Sequence, residues 1–314
     1  MAAPETYPIA LAHGIARFDF LRESFKQNSQ KMFGKVFDDI LEYLVRNGVN
    51  VDRLHYFRGI LSHLEAQGFD VHHTTVSYAK SLETRAADLK DQIDNILQGT
   101  GAAKAHILAH SMGGLDARCM IAKNGMGQKI ASLTTIGTPH HGSSFADFML
   151  NQKGGNDLIA LVGRAIDLKG FADLSSEACE RFNESVRNAE ADNEVFYQTY
   201  SSWEERKLVF TFLQPSWDVI ERAEGEKNDG LVSVASQKWQ SDLIGDAGKI
   251  KQIAQKEFPL PADHLNEVGW WDLNEIHGSG PLHRLGARGE YEDAVKGVYL
   301  AIAEDLRERF PVSK

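Results

Sequence analysis

The run Ala109-His110-Ser111-Met112-Gly113 constrains this chain more than any other feature; it is entered from the apolar stretch Ala105-His106-Ile107-Leu108 and left through Gly113-Gly114. It reads as a buried strand that ends on a serine and turns at once into a helix. Small residues stand two places before and after the serine. A turn this tight strains the serine backbone and brings its neighbours almost into contact, so bulky side chains there would clash. The turn also lifts the Ser111 hydroxyl clear of the strand end, where a base can reach it. With alanine in the first glycine place, this is the G-x-S-x-G pattern of a nucleophile elbow.

A serine at such a junction can also be a plain N-cap that satisfies amides of the first helical turn. The surroundings favour the reactive reading. Leu115, Cys119 and Met120, with Met112 and Ala122 in phase, continue a helical stripe, and residues 130–136 follow as a second apolar strand.

The rest of the chain alternates in the same way. Pro8–Ala12 predicts a short strand ending at His13-Gly14, 56–67 a helix, 69–76 a strand and 83–98 a helix. Residues 35–46 place apolar side chains at 36, 37, 40, 41, 44 and 45, a helical stripe stopped by Asn47-Gly48. Further on, Lys207–Leu213 predicts a strand and Tyr291–Phe310 a long closing helix. Strands alternating with helices of this length imply βαβ units, hence an α/β fold with a mostly parallel central sheet flanked by helices. No repeat, low-complexity tract or Pro/Gly/Ser linker divides the 314 residues, so one domain over 1–314 is expected.

Composition excludes several function classes. The 44 acidic and 34 basic residues give a net charge of −10, which disfavours nucleic acid or an anionic membrane surface as partner. The two cysteines, Cys119 and Cys179, form no C-x-x-C, and the twelve histidines contain no H-E-x-x-H, so neither a disulfide framework nor a zinc cluster is expected. Met1–Tyr7 carries no basic segment followed by a long apolar one, and no apolar run is long enough to span a bilayer. The expectation is a cytoplasmic chain, or a secreted one whose signal peptide is already absent, with no transmembrane segment.

A serine hydroxyl needs a base to take its proton, and the base needs an acid to fix its tautomer. In the α/β-hydrolase order these follow the serine as acid, then histidine. Asn228-Asp229-Gly230-Leu231-Val232 sets Asp229 in a tight turn before an apolar stretch, and Asp263-His264-Leu265 sets His264 in a loop after Pro259 and Pro261. Asn-Asp-Gly favours a turn by itself. His277 and His283 compete with His264, and Asp263 competes with Asp229, although a sequence neighbour seldom points at its own histidine ring and Asp263 reads better as a supporting or surface residue. Acyl transfer also needs donors for the oxyanion. The amide of Met112, after the nucleophile, and that of Ile15, in the loop His13-Gly14-Ile15, are the candidates.

Together these landmarks resemble the bacterial true lipases of the Pseudomonas and Burkholderia type. The resemblance is carried by Thr6–Ile15, Phe18-Asp19, the Ala-His-Ser-Met-Gly-Gly elbow, Thr138-Pro139-His140-His141-Gly142-Ser143, Asn228–Val232 and Asp263-His264-Leu265. It implies an α/β-hydrolase triacylglycerol lipase with Ser111 as nucleophile, His264 as base and Asp229 as its acid, and it needs no cofactor for catalysis. It further implies a helical cap or lid over about 143–205, with the apolar stripe of 157–168 (Leu158, Leu161) as the lid, although the same stripe also suits a packed cap helix that does not move. The partners it implies are a lipid or small ester substrate and a lipid–water interface; the sequence does not decide the need for a folding chaperone.

Three departures stand out, one of them an insertion over about 23–53 relative to the family. The calcium ligand of such lipases two residues after the histidine is here Asn266, and Val209 stands about twenty residues before Asp229, where an acid would be wanted. A hard cation prefers carboxylates, so calcium is not expected. The family disulfide would join Cys179 to a position near Ala235, so no bridge is expected either. Loss of both staples suits an intracellular or cold-adapted relative. The competing readings are a short-chain carboxylesterase or lysophospholipase, an acyltransferase with the same triad, and an inactive lipid- or protein-binding relative, which would have no need of all three residues.

Overall fold

The computed structural model describes residues 6–14, 55–76, 80–151, 172–271 and 281–312, without the side chains of 281–288. The chain order is β1 (Ile9–Ala12), α1 (Ile60–Ala66), β2 (Val71–His73), α2 (Leu82–Thr100), β3 (Ala105–His110), α3 (Met112–Lys123), β4 (Ile130–Ile136), α4 (Ser144–Asn151), α5 (Ser176–Asp192) and β5 (Phe196–Ser201). It continues through α6 (Gln214–Glu224), α7 (Val234–Gln237), the strands β6 (Asp242–Ile244), β7 (Ile250–Gln252) and β8 (Ala254–Glu257), and α8 (Pro281–Arg309).

Six strands form one parallel sheet in the order β2-β1-β3-β4-β5-β8, while β6 and β7 make a separate antiparallel pair. Strands buried on both faces read as apolar runs, and β3 and β4 are buried at every position. The period of two then divides the core. Ala10, Ala12, Ile107 and Ala109 face one apolar cluster with residues of α2, α3 and α5, and Ile9, Leu11 and Leu108 face another with residues of α1 and α8. The alanines on the first face let α3 lie close to the sheet, which fixes where its N-terminus emerges.

Two expectations need correction. Lys207–Leu213 is not a strand: it turns and ends in a 3-10 helix, Thr211–Leu213, leading into α6 with a proline in its first turn. A short apolar run cannot be told from a buried turn by period alone. Here Val209 and Phe210 enter the core as a packed turn, and β8 takes the sheet position beside β5. The excursion expected over 143–205 is also narrower, because β5 is a strand of the central sheet and α5 packs against α3 as an ordinary flanking helix. The lid segment 157–168, the helix expected over 35–46 and the insertion expected over 23–53 lie outside the described residues.

Candidate active site

Ser111 follows the last residue of β3 and precedes the first of α3, with φ 56° and ψ −135°. It is the only non-glycine residue with positive φ among the described residues, a conformation that side chains normally avoid and that marks stored backbone strain. The neighbours explain how the turn closes. A Cβ on Gly113 would lie 2.5 Å from the His13 carbonyl oxygen and 2.6 Å from that of Ala12, and one on Gly114 would collide with Thr138. Thr138 in turn donates its hydroxyl to the Ser111 carbonyl at 2.8 Å.

The three residues expected to cooperate are brought together. Ser111 Oγ lies 2.8 Å from His264 Nε2, and His264 Nδ1 lies 2.8 Å from Asp229 Oδ2. With Nδ1–H donating to the carboxylate, Nε2 is the acceptor for the serine proton. The His264 backbone N–H also donates to the Asp229 carbonyl at 2.8 Å. Asp229 is held by its own turn: Oδ1 accepts the N–H of Leu231 at 2.8 Å and of Val232 at 2.7 Å, leaving Oδ2 for His264 and for Gln237 Nε2 at 3.0 Å. Gln237, on α7, gave no sequence signal.

Of the rivals, His277 and the side chain of His283 lie outside the described residues. Asp263 is buried, not on the surface, and its carboxylate faces backbone amides rather than the His264 ring. His140, from the Thr-Pro-His-His motif, is also buried away from Ser111: Nδ1 accepts from Arg118, Nε2–H donates to Thr135 Oγ1 at 2.9 Å, and the ring stacks on Trp239. Cys119 and Cys179 are free buried thiols, pushed up by burial to about 11 and about 12.

On the oxyanion side, Met112 opens α3, where helical amides have no intrahelical acceptor. Ile15 lies outside the described residues. The residue before it is close to the nucleophile: a Cβ on Gly14 would stand 2.6 Å from Ser111 Cβ and 2.8 Å from the Tyr56 hydroxyl. His13 Nε2 accepts the Val76 N–H at 3.3 Å, so Nδ1–H donates to the Gly14 carbonyl at 2.8 Å, and burial holds the ring neutral.

A second hydrogen-bonded row lies behind the base, and sequence reasoning missed it. Tyr56 OH meets His110 Nδ1 at 2.7 Å, His110 Nε2 meets Glu267 Oε2 at 2.7 Å, and Glu267 Oε1 meets Ser202 Oγ. The His110 and His264 rings have centroids 4.5 Å apart. Ser202 Oγ also lies 2.9 Å from the Ala262 carbonyl, which can only accept. Its hydroxyl thus links the Ala262 carbonyl to the Glu267 carboxyl. Burial, and the negative charge of Asp229, push Glu267 well above the ordinary carboxylate range, while burial and the nearby His264 push His110 well below the imidazole range. Both shifts favour the neutral forms of His110 and Glu267 in a row that runs from Tyr56 to Ser202.

Among the described residues, His110, His264 and Glu267 bring three ligand-type atoms within 4.8 Å of one another. Each atom already has a hydrogen-bond partner in the row or the triad.

The model of the α/β-hydrolase fold matches residues 50–157 of this sequence. Triacylglycerol lipase 2 of Saccharomyces cerevisiae is 27% identical over 96% of the chain and 92% of its own length. A triacylglycerol lipase of Vibrio cholerae is 28% identical over 73% of each chain, and one of Burkholderia plantarii is 33% identical over 47% of this chain and 33% of its own. Among solved structures, a metagenomic carboxyl esterase superposes with a TM-score of 0.61 at 13% identity, covering 99% of this chain and 77% of the other. A mature lipase of Bacillus licheniformis superposes with a TM-score of 0.57 at 17% identity, covering 83% and 86%. The chain has the α/β-hydrolase fold. No helix among the described residues is long and apolar enough to cross a membrane.

Proposed function

We propose that this α/β-hydrolase chain is a serine-dependent carboxylic ester hydrolase that cleaves acylglycerols through an acyl-enzyme, with Ser111, His264 and Asp229 as its triad. The observation that carries the reading is the pair of 2.8 Å contacts that place one imidazole between the Ser111 hydroxyl and the Asp229 carboxylate. Similarity to the yeast triacylglycerol lipase over almost the whole chain supports acylglycerols as the substrate class. The finer likeness to the Pseudomonas and Burkholderia type rests on the ordered landmarks of the sequence.

His264 Nε2 takes the Ser111 proton as Oγ attacks the ester carbonyl carbon, and Asp229 holds the resulting imidazolium in place. The carbonyl oxygen gains the charge and is met by the amides assigned to it, those of Met112 and Ile15. The carbon–oxygen bond to the alcohol breaks, and the alcohol leaves with the proton from His264. Water then attacks the acyl-serine with His264 again as base, releasing the acid and restoring Ser111. No step calls on a cofactor. The site is built for lipid or small ester substrates, and a lipid–water interface is where an acylglycerol is met.

Initial rates on p-nitrophenyl esters from acetate to palmitate, with Ser111→Ala as control, test the reading. A medium- or long-chain optimum abolished by the substitution is expected. An optimum at acetate or butyrate makes the chain a short-chain carboxylesterase, and activity surviving Ser111→Ala removes the nucleophile.

A further inference from the structure

The lipases that this sequence resembles imply a calcium ion next to the histidine loop, and the residues here do not fit one. Calcium takes six to eight oxygens, carboxylates foremost. Asn266 has both side-chain ends engaged: Oδ1 accepts the Asp263 N–H at 3.0 Å, and Nδ2 donates to the Trp270 carbonyl at 2.8 Å. Val209 is fully buried in the apolar cluster, within reach of Gly230. Of the two carboxyl groups on this loop, Glu267 turns into the row behind the base and Asp263 directs both oxygens at backbone N–H groups. Its Oδ2 accepts the N–H of Phe210, and its Oδ1 accepts those of Leu265 at 2.8 Å and Asn266 at 2.9 Å. Each N–H puts partial positive charge where a cation would have to approach.

The same bonds show what the carboxylate does. Phe210 belongs to the packed turn before α6, while Leu265 and Asn266 belong to the turn that carries His264. We infer that the Asp263 carboxylate takes the place of a metal cross-link, tying these two segments together and so holding His264 at Ser111 without calcium. Asp263 touches neither the Ser111 hydroxyl nor the ring of the base. It is a positioning residue that acts through the His264 backbone, and the inference rests on the reading of His264 as the base. Charge-assisted bonds to backbone N–H groups are about twice as strong as neutral ones, and this residue concentrates three of them on one buried side chain.

The test measures thermal unfolding and ester hydrolysis of the full chain in EDTA and then in excess calcium. The unfolding midpoint and the rate should be the same in both. In parallel, Asp263→Asn keeps the size but turns an NH2 group toward an amide. Active sites are counted with a fluorophosphonate, and kcat is expressed per titrated site. The expected result is a fall of about 10–100-fold in kcat per titrated site with unchanged KM, because small misplacements of a catalytic group cost rates of that order. A purely structural loss would lower the number of titratable sites and leave kcat per site unchanged.

A midpoint that drops in EDTA and recovers in calcium overturns the inference, as does Asp263→Asn with wild-type kcat per site. If that variant does not fold, Asp263→Glu is judged by the same criterion. Wild-type chain with no esterase activity would count against the proposed function instead, because the midpoint in EDTA is read without substrate.

Discussion

Glu267 Oε2 lies 2.7 Å from His110 Nε2, with both side chains fully buried and the His264 ring beside them. Two acidic residues thus flank one base in different surroundings: Asp229 accepts three N–H groups from Leu231, Val232 and Gln237 besides the His264 ring, whereas burial and the charge of Asp229 favour the protonated form of Glu267. Glu267→Gln reproduces the neutral acid, donating to Ser202 and accepting from His110, and should keep kcat/KM within a few-fold of wild type. Glu267→Ala leaves His110 and Ser202 with unmet groups, at about 1–3 kcal/mol each. Urea unfolding and kcat/KM of the two variants separate the cases, and a collapse of kcat/KM in Glu267→Gln would show that the charged form is needed.

The same residue sets a pH dependence. Its folded value lies well above the ordinary carboxylate range, so above about pH 4.5 the unfolded chain releases this proton while the folded chain keeps it. Fewer protons on the unfolded state mean that stability falls as pH rises. Removing the group by Glu267→Gln should make the stability difference, variant minus wild type, grow with pH from about 4.5 towards neutrality, at up to about 1.4 kcal/mol per unit. Unfolding free energies measured for both chains between pH 4.5 and 7.5 check the sign, and a flat difference refutes it.

Asp229→Asn changes one atom of the triad. An asparagine must keep its oxygen toward Leu231 and Val232, whose amides Oδ1 now accepts at 2.8 and 2.7 Å, and so presents NH2 to His264 Nδ1. The ring then takes the other tautomer, with Nε2 protonated and useless as a base. The expected loss in kcat is about 10⁴-fold, with a melting midpoint close to wild type. Single-turnover kinetics with an activated ester read this directly; a loss under tenfold would mean that another group orients His264.

The legibility of the site followed the range of each signal. Ser111 was readable because strand, elbow and helix are contiguous, and Asp229 because its turn is local. Choosing His264 over His277 and His283 required the resemblance, since a base is defined by where the fold brings it. Gln237, Tyr56 and Glu267 were invisible for the same reason: each is polar, unremarkable in its own segment, and meaningful only against residues far off in the chain. A trace did exist, because Asp263, His264, Asn266 and Glu267 interrupt an otherwise apolar stretch running from Ala262 to Trp271, and polar groups in such a setting must find partners indoors. In the fold, the parallel alternation was legible from period and length. The error at Lys207–Leu213 arose where an apolar run carried no period at all.

Gly14→Ala tests the approach to the nucleophile. A Cβ there would stand 2.6 Å from Ser111 Cβ and 3.0 Å from its Oγ, with the Tyr56 hydroxyl at 2.8 Å. Atoms this close must move, and Ser111 sits in a strained turn with no slack. The rate of fluorophosphonate labelling should fall by about 100-fold, the order expected for displacing a reacting atom by roughly an ångström. A labelling rate within a factor of two of wild type would show that the loop yields and that its backbone does not define the site.

A buried ion pair ties α2 to α3, the helix that presents Ser111. Arg85 on α2 is fully buried and directs Nε at Asp116 on α3, 2.9 Å from Oδ1 and 3.2 Å from Oδ2, while its NH1 reaches Asp173 at 3.1 Å. Its NH2 is buried without a hydrogen-bond partner among the described residues. Burying this pair costs desolvation that the incomplete bonding only partly offsets, so removing one partner and removing both should differ in sign. Asp116→Ala leaves the buried guanidinium with only the half-buried Asp173 to pair with and should destabilise the fold by about 3–5 kcal/mol, whereas Arg85→Met with Asp116→Leu should be neutral or stabilising by about 1–4 kcal/mol. Urea unfolding of the single and double variants decides it. A double variant as unstable as Asp116→Ala would mean that the ion pair itself, rather than the filled volume, holds α2 against the helix of the nucleophile.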